Sequence, residues 1–189
     1  LPGECVTQLR VRTGAKSEKQ ARVAAPYAIE DDVAVDVEGL HVALAPFEPH
    51  SEFSSVWAID RVLMAQWSSA LKAHGLEAAS IVPDYLLAPV LEDARACFPM
   101  GDRLLMRTDV WGATLNQSLG PDLLRAAAES AMRRWGRDDH AYGLVDILPA
   151  DVGPYDFLAL NAMGAEINLL QGEFALRRRS NTVELKGWR

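Results

Sequence analysis

Residues 54–84, SSVWAIDRVLMAQWSSALKAHGLEAASIVPD, restrict the fold more than any other part of this chain. Val56, Trp57, Ala58 and Ile59 make a short unbroken apolar run of the kind a buried strand needs. Asp60 then stands where a helix N-cap belongs, its carboxylate able to accept orphan backbone N–H groups. Leu63, Trp67, Ala70, Leu71 and His74 recur at spacings of three and four, which predicts a helix with one buried face. Gly75 ends it, because glycine enters the left-handed region at low cost. Ala78–Val82 is a second apolar run, closed by Pro83, which has no N–H to give to a ladder. Strand, helix and strand over this span read as a βαβ unit, and such a unit predicts a sheet that is at least partly parallel.

On the N-terminal side, Glu4–Thr13 alternates as a strand does, and Gly14-Ala15 turns the chain. Ser17 and Gln20 form a capping box for a helix through Ala25, where Pro26 should kink or restart it. Tyr27–Val35 continues that helix, with Ile29, Val33 and Val35 apolar and the acidic residues outward. Leu40–Phe47 is strand-like, and the polar turn Glu48–Ser51 joins it to the run at Val56 as a hairpin. Further on, Asp84 reads as the N-cap of a short helix at Tyr85 that Pro89 breaks. Arg103–Thr108 and Trp111–Leu115 pair as a hairpin. A helix follows Gly120-Pro121-Asp122, a strand occupies Gly143–Leu148, Tyr155–Ala162 makes a helical turn or two, and Glu166–Leu170 is a short strand. The architecture expected is mixed α/β, in a chain of 189 residues that is long enough for a sizeable core.

Charge and cysteine content remove several function classes. A net charge of −7 argues against a general nucleic-acid binder, whose phosphate affinity needs clustered Lys and Arg. Cys5 and Cys97 are far apart in sequence and form no metal-like spacing; they suit a reducing compartment, with a single disulfide as the alternative. No run approaches the ~20 apolar residues of a membrane span. Leu1-Pro2-Gly3 reads as a loop leaving a strand that is not present, so the chain is expected to be a fragment.

Three stretches resemble the cytoplasmic domain of the type II secretion system protein L family. Ala25–Asp31 (APYAIED) with Asp36–His41 (DVEGLH) is similar to that family's "LPYALEE…DVDDLH". Trp67, Leu71, Gly75 and Leu76 leading into Val82–Pro89 resemble its "W…L…GL…PD…LALP". Asn168–Ala175 (NLLQGEFA) with Arg177, Arg178 and Arg179 resembles the "LLQGEFA" that closes the domain before the membrane. The resemblance implies an actin-like (ribonuclease-H-like) fold without its first strands. It implies a small α+β subdomain over 1–52 that docks an ATPase, a ribonuclease-H-like part over 53–176 and a basic juxtamembrane tail over 177–189. The implied role is a scaffold at the cytoplasmic face of the inner membrane that recruits the N-terminal region of the secretion ATPase. Platform protein M and the pseudopilus machinery would be met through parts absent here; homodimerisation is left open, and no cofactor is implied.

The residues offer several candidate sites. Glu30, Asp31, Asp32, Asp36 and Glu38 form an acidic run that reads as a solvated face or a docking surface. A metal cage does not fit, because adjacent residues on a helix point apart. With Arg22, these acids are the partner-binding candidates, helped by an exposed edge of Val6–Val11 or Leu40–Leu44. Asp84 with Glu92 suggests a nuclease pair but lacks the required lysine, Arg95 being one step too far. Thr108–Thr114 lies where an actin-like enzyme carries a phosphate loop, yet Trp111 intrudes where glycine is needed. A tight turn explains it better, and an actin-like nucleotide-binding ATPase stands as the alternative from a different class. A pilus-assembly relative that binds a membrane partner's peptide is a third reading. His41, His50, His74 and His140 have no ligand spacing, neither cysteine has an activating charge, and no catalytic constellation emerges. Arg177, Arg178 and Arg179 suit attraction to anionic lipid.

Overall fold

The computed structural model describes residues 1–90, 96–108, 111–116, 118, 154–162, 164–165 and 167–176. The helix expected after Gly120 and the strand expected at Gly143–Leu148 lie outside these residues. The chain builds β1 (Val6–Arg12), α1 (Glu18–Ala28), β2 (Leu40–Leu44), β3 (Phe53–Asp60) and α2 (Arg61–Ala73), then β4 (Ala96–Met100), β5 (Arg103–Arg107), β6 (Gly112–Asn116) and α3 (Pro154–Ala162).

These strands form two three-stranded antiparallel sheets, ordered β1-β3-β2 and β4-β5-β6. The apolar run at Val56 is the centre of β3, paired on both sides, with the expected hairpin to β2 in place. Its side chains alternate between two cores, which is why every position in the run is apolar. Val56 and Ala58 pack with Val11, Leu40, Leu44, the α1 residues Ala21 and Ala25, and Ile29 just past the helix end. Trp57 and Ile59 face the opposite way, into a core shared with Met64, Tyr85, Leu105 and Leu169. Phe53, which the sequence puts at the head of the second part, thus opens the central strand of the first sheet.

The local punctuation of α2 follows the sequence. Asp60 accepts from the Leu63 N–H at 2.8 Å. At the other end Leu76 N bonds Leu71 O and Gly75 N bonds Lys72 O, with Gly75 at φ +68°, a Schellman ending. The buried face is turned from the expected one: Met64 is fully buried and Leu63 and Leu71 partly so, whereas Trp67 is 38% exposed and Ala70 and His74 are exposed.

The parallel sheet expected from the βαβ reading is not what the described residues make. Ala78–Val82 joins no sheet. Its hydrogen bonds go instead to the Asn168–Leu169 segment, through Ile81 N to Asn168 Oδ1 at 3.1 Å and Leu169 N to Ile81 O at 2.8 Å. A single parallel step does occur beside it. Leu1 N gives to Val82 O, and Leu1 O accepts from Asp84 N, both at 2.9 Å, on either side of Pro83. Glu166–Leu170 is not a strand over its described residues, and α1 runs through Pro26 to Ala28. β4 was not legible, because Pro99 interrupts it; on an edge strand the missing N–H can face away from the ladder.

Tyr85 joins the two sheets. It is fully buried, and its hydroxyl accepts from Trp57 Nε1 at 3.1 Å. A Cβ built on Gly112 in β6 would collide with its ring, and one on Gly3 would collide with the ring, Thr114 and Asp84. Both glycines are therefore required by close approach rather than by backbone angle. Gly112→Ala should destabilise the chain by about 2 kcal/mol through overpacking. An unchanged midpoint in guanidinium chloride unfolding would contradict that packing.

Candidate functional site

The acidic candidates lie on the connection between α1 and β2 rather than on a helix. α1 stops at Ala28, and Glu30–Asp32 form a single 3₁₀ turn held by Asp32 N bonding Ile29 O at 2.9 Å. Ile29 has no exposed surface, so this turn is pinned to the core by its preceding side chain. A second 3₁₀ turn follows at Val37–Gly39, capped by Asp36, whose Oδ1 accepts from Glu38 N at 3.0 Å. The helical continuation expected over Tyr27–Val35 is thereby corrected. Asp36 stabilises its own turn, and its remaining lone pairs face solvent.

Glu30, Asp31, Asp32 and Glu38 are exposed, and among the described residues none forms an ion pair. Four uncompensated carboxylates on one short connection produce a negative surface fixed in shape by two turns. Beside them, Tyr27 at the end of α1 is 72% exposed, and Val23 one turn earlier is also exposed. Arg22 belongs to a different arrangement. Its Nε and one terminal nitrogen hold Glu18 Oε1 at 3.1 and 2.6 Å, while NH1 gives to Gln171 Oε1 at 2.6 Å. No contact links Arg22 to the acidic turns among the described residues.

Asp84 is not an N-cap, which corrects the expectation for it. The 3₁₀ turn Asp84–Leu87 has no side-chain cap. Asp84 is 6% exposed and collects donors from three directions. Its Oδ1 accepts from Gly3 N at 2.9 Å and from Thr114 Oγ1 at 2.5 Å, and its Oδ2 accepts from Arg103 NH1 at 3.0 Å. Burial of a carboxylate is tolerable only with such partners. Arg107, also buried, gives to the carbonyls of Leu86 and Ala88, the latter at 2.8 Å. Asp84 and Arg107 tie the 84–88 segment to the second sheet, a structural duty that leaves neither Asp84 oxygen unengaged. Glu92 and Arg95, which the nuclease reading invoked, lie outside the described residues.

The turn after β5 closes on itself. Thr108 N bonds Trp111 O at 2.7 Å, and Trp111 N bonds Thr108 Oγ1 at 3.0 Å, so these amides are not directed at a phosphate. Asp109 and Val110 lie outside the described residues. The Cys5 thiol is pushed up by partial burial and then by Glu4, away from reactivity. Among the described residues no three His, Cys, Asp or Glu side chains converge as metal ligands.

The segment after α3 carries more structure than its sequence suggested. Gln171 lies against β2 with its amide spanning one residue: Oε1 accepts from Leu44 N at 3.2 Å, and Nε2 gives to Leu44 O at 2.9 Å. Asn168 holds Ile81 N and Leu170 N, and Arg61 pairs with Glu173 at 3.1 Å. His41, 5% exposed, gives its Nε2–H to Leu169 O at 2.7 Å and meets the Phe174 ring edge-on at 4.9 Å. Because a carbonyl only accepts, this bond fixes the neutral ring's tautomer. Burial pushes the His41 ring below its usual range, although the Leu169 carbonyl and Glu173 pull the other way. A glutamine 127 residues away from its partner gives no local signal. Arg177, Arg178 and Arg179 lie outside the described residues.

Residues 1–177 match the family model described as type II secretion system (T2SS), protein L. The type II secretion system protein L of Pseudomonas aeruginosa is 26% identical over 200 residues, covering 100% of this chain and 48% of the relative. That of Klebsiella pneumoniae is 25% identical over 189 residues, covering 95% of this chain and 45% of the relative. The chain thus spans about half the length of these two relatives. A solved structure, the cytoplasmic domain of EpsL, an inner membrane component of the Vibrio cholerae type II secretion system, superposes with a TM-score of 0.71. That match covers 92% of this chain and 76% of the other at 24% identity, and it shows a shared fold.

Two outcomes follow from these geometries. Asp84→Ala leaves Arg103 and two further donors without their acceptor, so it should cost about 3 kcal/mol in denaturant unfolding, while Asp84→Asn costs less. Wild-type stability in Asp84→Ala would show that the carboxylate is not structural. For His41 the folded ring is harder to protonate than the unfolded one. Its contribution is whole above the usual value of about 6.5 and is lost as pH falls through it. The unfolding midpoint should drop as pH falls below about 6.5, and His41→Gln should flatten that slope. An equal slope in the variant would assign the pH dependence elsewhere.

Proposed function

The chain belongs to the type II secretion system protein L family, and on that premise we propose that it is a non-enzymatic docking body that recruits the secretion ATPase through its N-terminal region. The observation that carries this reading is the uncompensated acidic surface at Glu30, Asp31, Asp32 and Glu38, held in shape by two turns. Carboxylates with no partner inside the molecule are available to a basic one, and they contribute on-rate and register more than raw affinity. The exposed Tyr27 and Val23 supply apolar contact area beside them, as an aromatic anchor with a charged rim does in protein interfaces.

The rest of the reading rests on the family. The docking unit is residues 1–52 and residues 53–176 form the second part, whose first strand β3 completes the docking unit's sheet, in an actin-like (ribonuclease-H-like) fold. The solved relative is described as a cytoplasmic domain of an inner membrane component, and the proposal places this chain at the same face. No helix among the described residues is long and apolar enough to cross a membrane. Arg177, Arg178 and Arg179 would then approach anionic headgroups, at about 1 kcal/mol per cation. Contacts with platform protein M and the pseudopilus would be made by other parts of the full-length protein.

Reversal of two charges tests the surface. Asp31→Lys with Asp32→Lys should lower affinity for the ATPase N-terminal region about tenfold or more and flatten its dependence on salt. Full affinity in the double variant would remove the acidic face from the docking site.

A further inference from the structure

The outer edge of β2 is not open to a partner strand, because side chains already serve it at both ends. Arg61 gives to Leu40 O at 3.1 Å, and the Gln171 amide pairs with both backbone groups of Leu44. Gln171 therefore acts as a one-residue surrogate strand, holding the segment Asn168–Phe174 against the first sheet like a strap. An amide can do this in only one orientation, oxygen towards Leu44 N and nitrogen towards Leu44 O. Arg22 sets that orientation. Its NH1 gives to the same Oε1 at 2.6 Å, closer than Leu44 N at 3.2 Å, and Nε2 is turned to Leu44 O and Asn168 O.

Arg22 itself is on the exposed side of α1, held on its other edge by Glu18. One guanidinium thus faces solvent, a carboxylate and the strap at once. We propose that Arg22 is a positioning residue that couples occupancy of the α1 face to the strap: a partner carboxylate that takes NH1 releases Gln171 and frees the β2 edge at Leu44. This rests on the docking reading above, requires the same partner to present an acidic side chain beside its basic ones, and adds a response inside the molecule. The exchange is favourable in kind, since a bond to a carboxylate pairs two opposite charges, whereas the bond to Gln171 Oε1 carries charge on the donor alone. The strap also carries Leu169 and Phe174, which contact His41, and Glu173, which pairs with Arg61, so its release reaches β2 and α2 together. By reciprocity, whatever loosens the strap must strengthen binding at Arg22.

Residue-resolved hydrogen exchange on the chain tests the coupling. Arg22→Ala should speed exchange of the Leu44 amide about tenfold, as Gln171→Ala does, with the Ala43 amide unchanged as a check that the sheet stays intact. Saturation with the ATPase N-terminal region should have the same effect on Leu44 in the unmodified chain, and Gln171→Ala should bind that region about fivefold more tightly. Wild-type Leu44 exchange in Arg22→Ala would overturn the positioning role. Binding with unchanged affinity in Gln171→Ala and unchanged Leu44 exchange would overturn the coupling and leave docking in place. No binding to the unmodified chain would overturn docking and the coupling that rests on it, while the Arg22→Ala exchange result would still stand as a statement about the strap.

Discussion

Tyr85 occupies the space between the two sheets only because Gly3 and Gly112 give it room for its ring and Trp57 gives its hydroxyl a donor. Neither sheet could bury its inner face alone. Three short antiparallel strands need a covering layer, and here each sheet covers the other across a shared core that includes Trp57, Ile59, Leu105 and Leu169. Asp84, the preceding residue, adds the polar half of the same joint. It binds the start of the chain through Gly3, β6 through Thr114 and β5 through Arg103. The pair places a large apolar ring and a fully partnered carboxylate on adjacent residues, so the joint is both packed and directional.

Two kinds of carboxylate divide the molecule by consequence. Asp84 is buried and has its donors, so it fixes structure. Glu30, Asp31, Asp32 and Glu38 are exposed and lack partners among the described residues, so the field they generate is available outside the molecule. The turns that hold them are anchored by Ile29 in the core and by Asp36 at the second cap. On the proposed docking reading this matters, because a preformed surface loses less freedom on binding.

Short-range signals in the sequence carried far, and long-range ones did not. Asp60, Gly75, Ser17 and the hairpin turn at Glu48–Ser51 act on neighbours within a few residues, and each was legible. The capping box was modified in one respect, since Gln20 Oε1 accepts from Lys16 N rather than from Ser17. The parallel sheet was misread because an apolar strand covered on both faces looks the same in either sheet type. Here α1 covers one face of β3 and the second core the other. The buried stripe of α2 slipped because Met64 stands at helical spacing to Leu71 as well as Trp67 does, and the stripe runs through Met64 instead of Trp67. Of the candidate site, the acidic residues were legible as a charge run but their setting was not. A helix was expected over Tyr27–Val35, where a single 3₁₀ turn stands at Glu30–Asp32. The roles of Gln171 and Asp84 stayed hidden for another reason: their partners are far away in the sequence, and polar side chains of such types have many ordinary surface roles.

On the proposed reading the chain recognises a partner, while its buried Asp84, Arg107 and His41 are committed to holding the fold together. Calorimetric titration of the chain with the N-terminal region of the secretion ATPase, and in parallel with ATP and Mg²⁺, tests that claim most directly. Saturable heat with the ATPase region that weakens as salt rises, and none with nucleotide, is the predicted result. Saturable binding of nucleotide with no response to the ATPase region would contradict it.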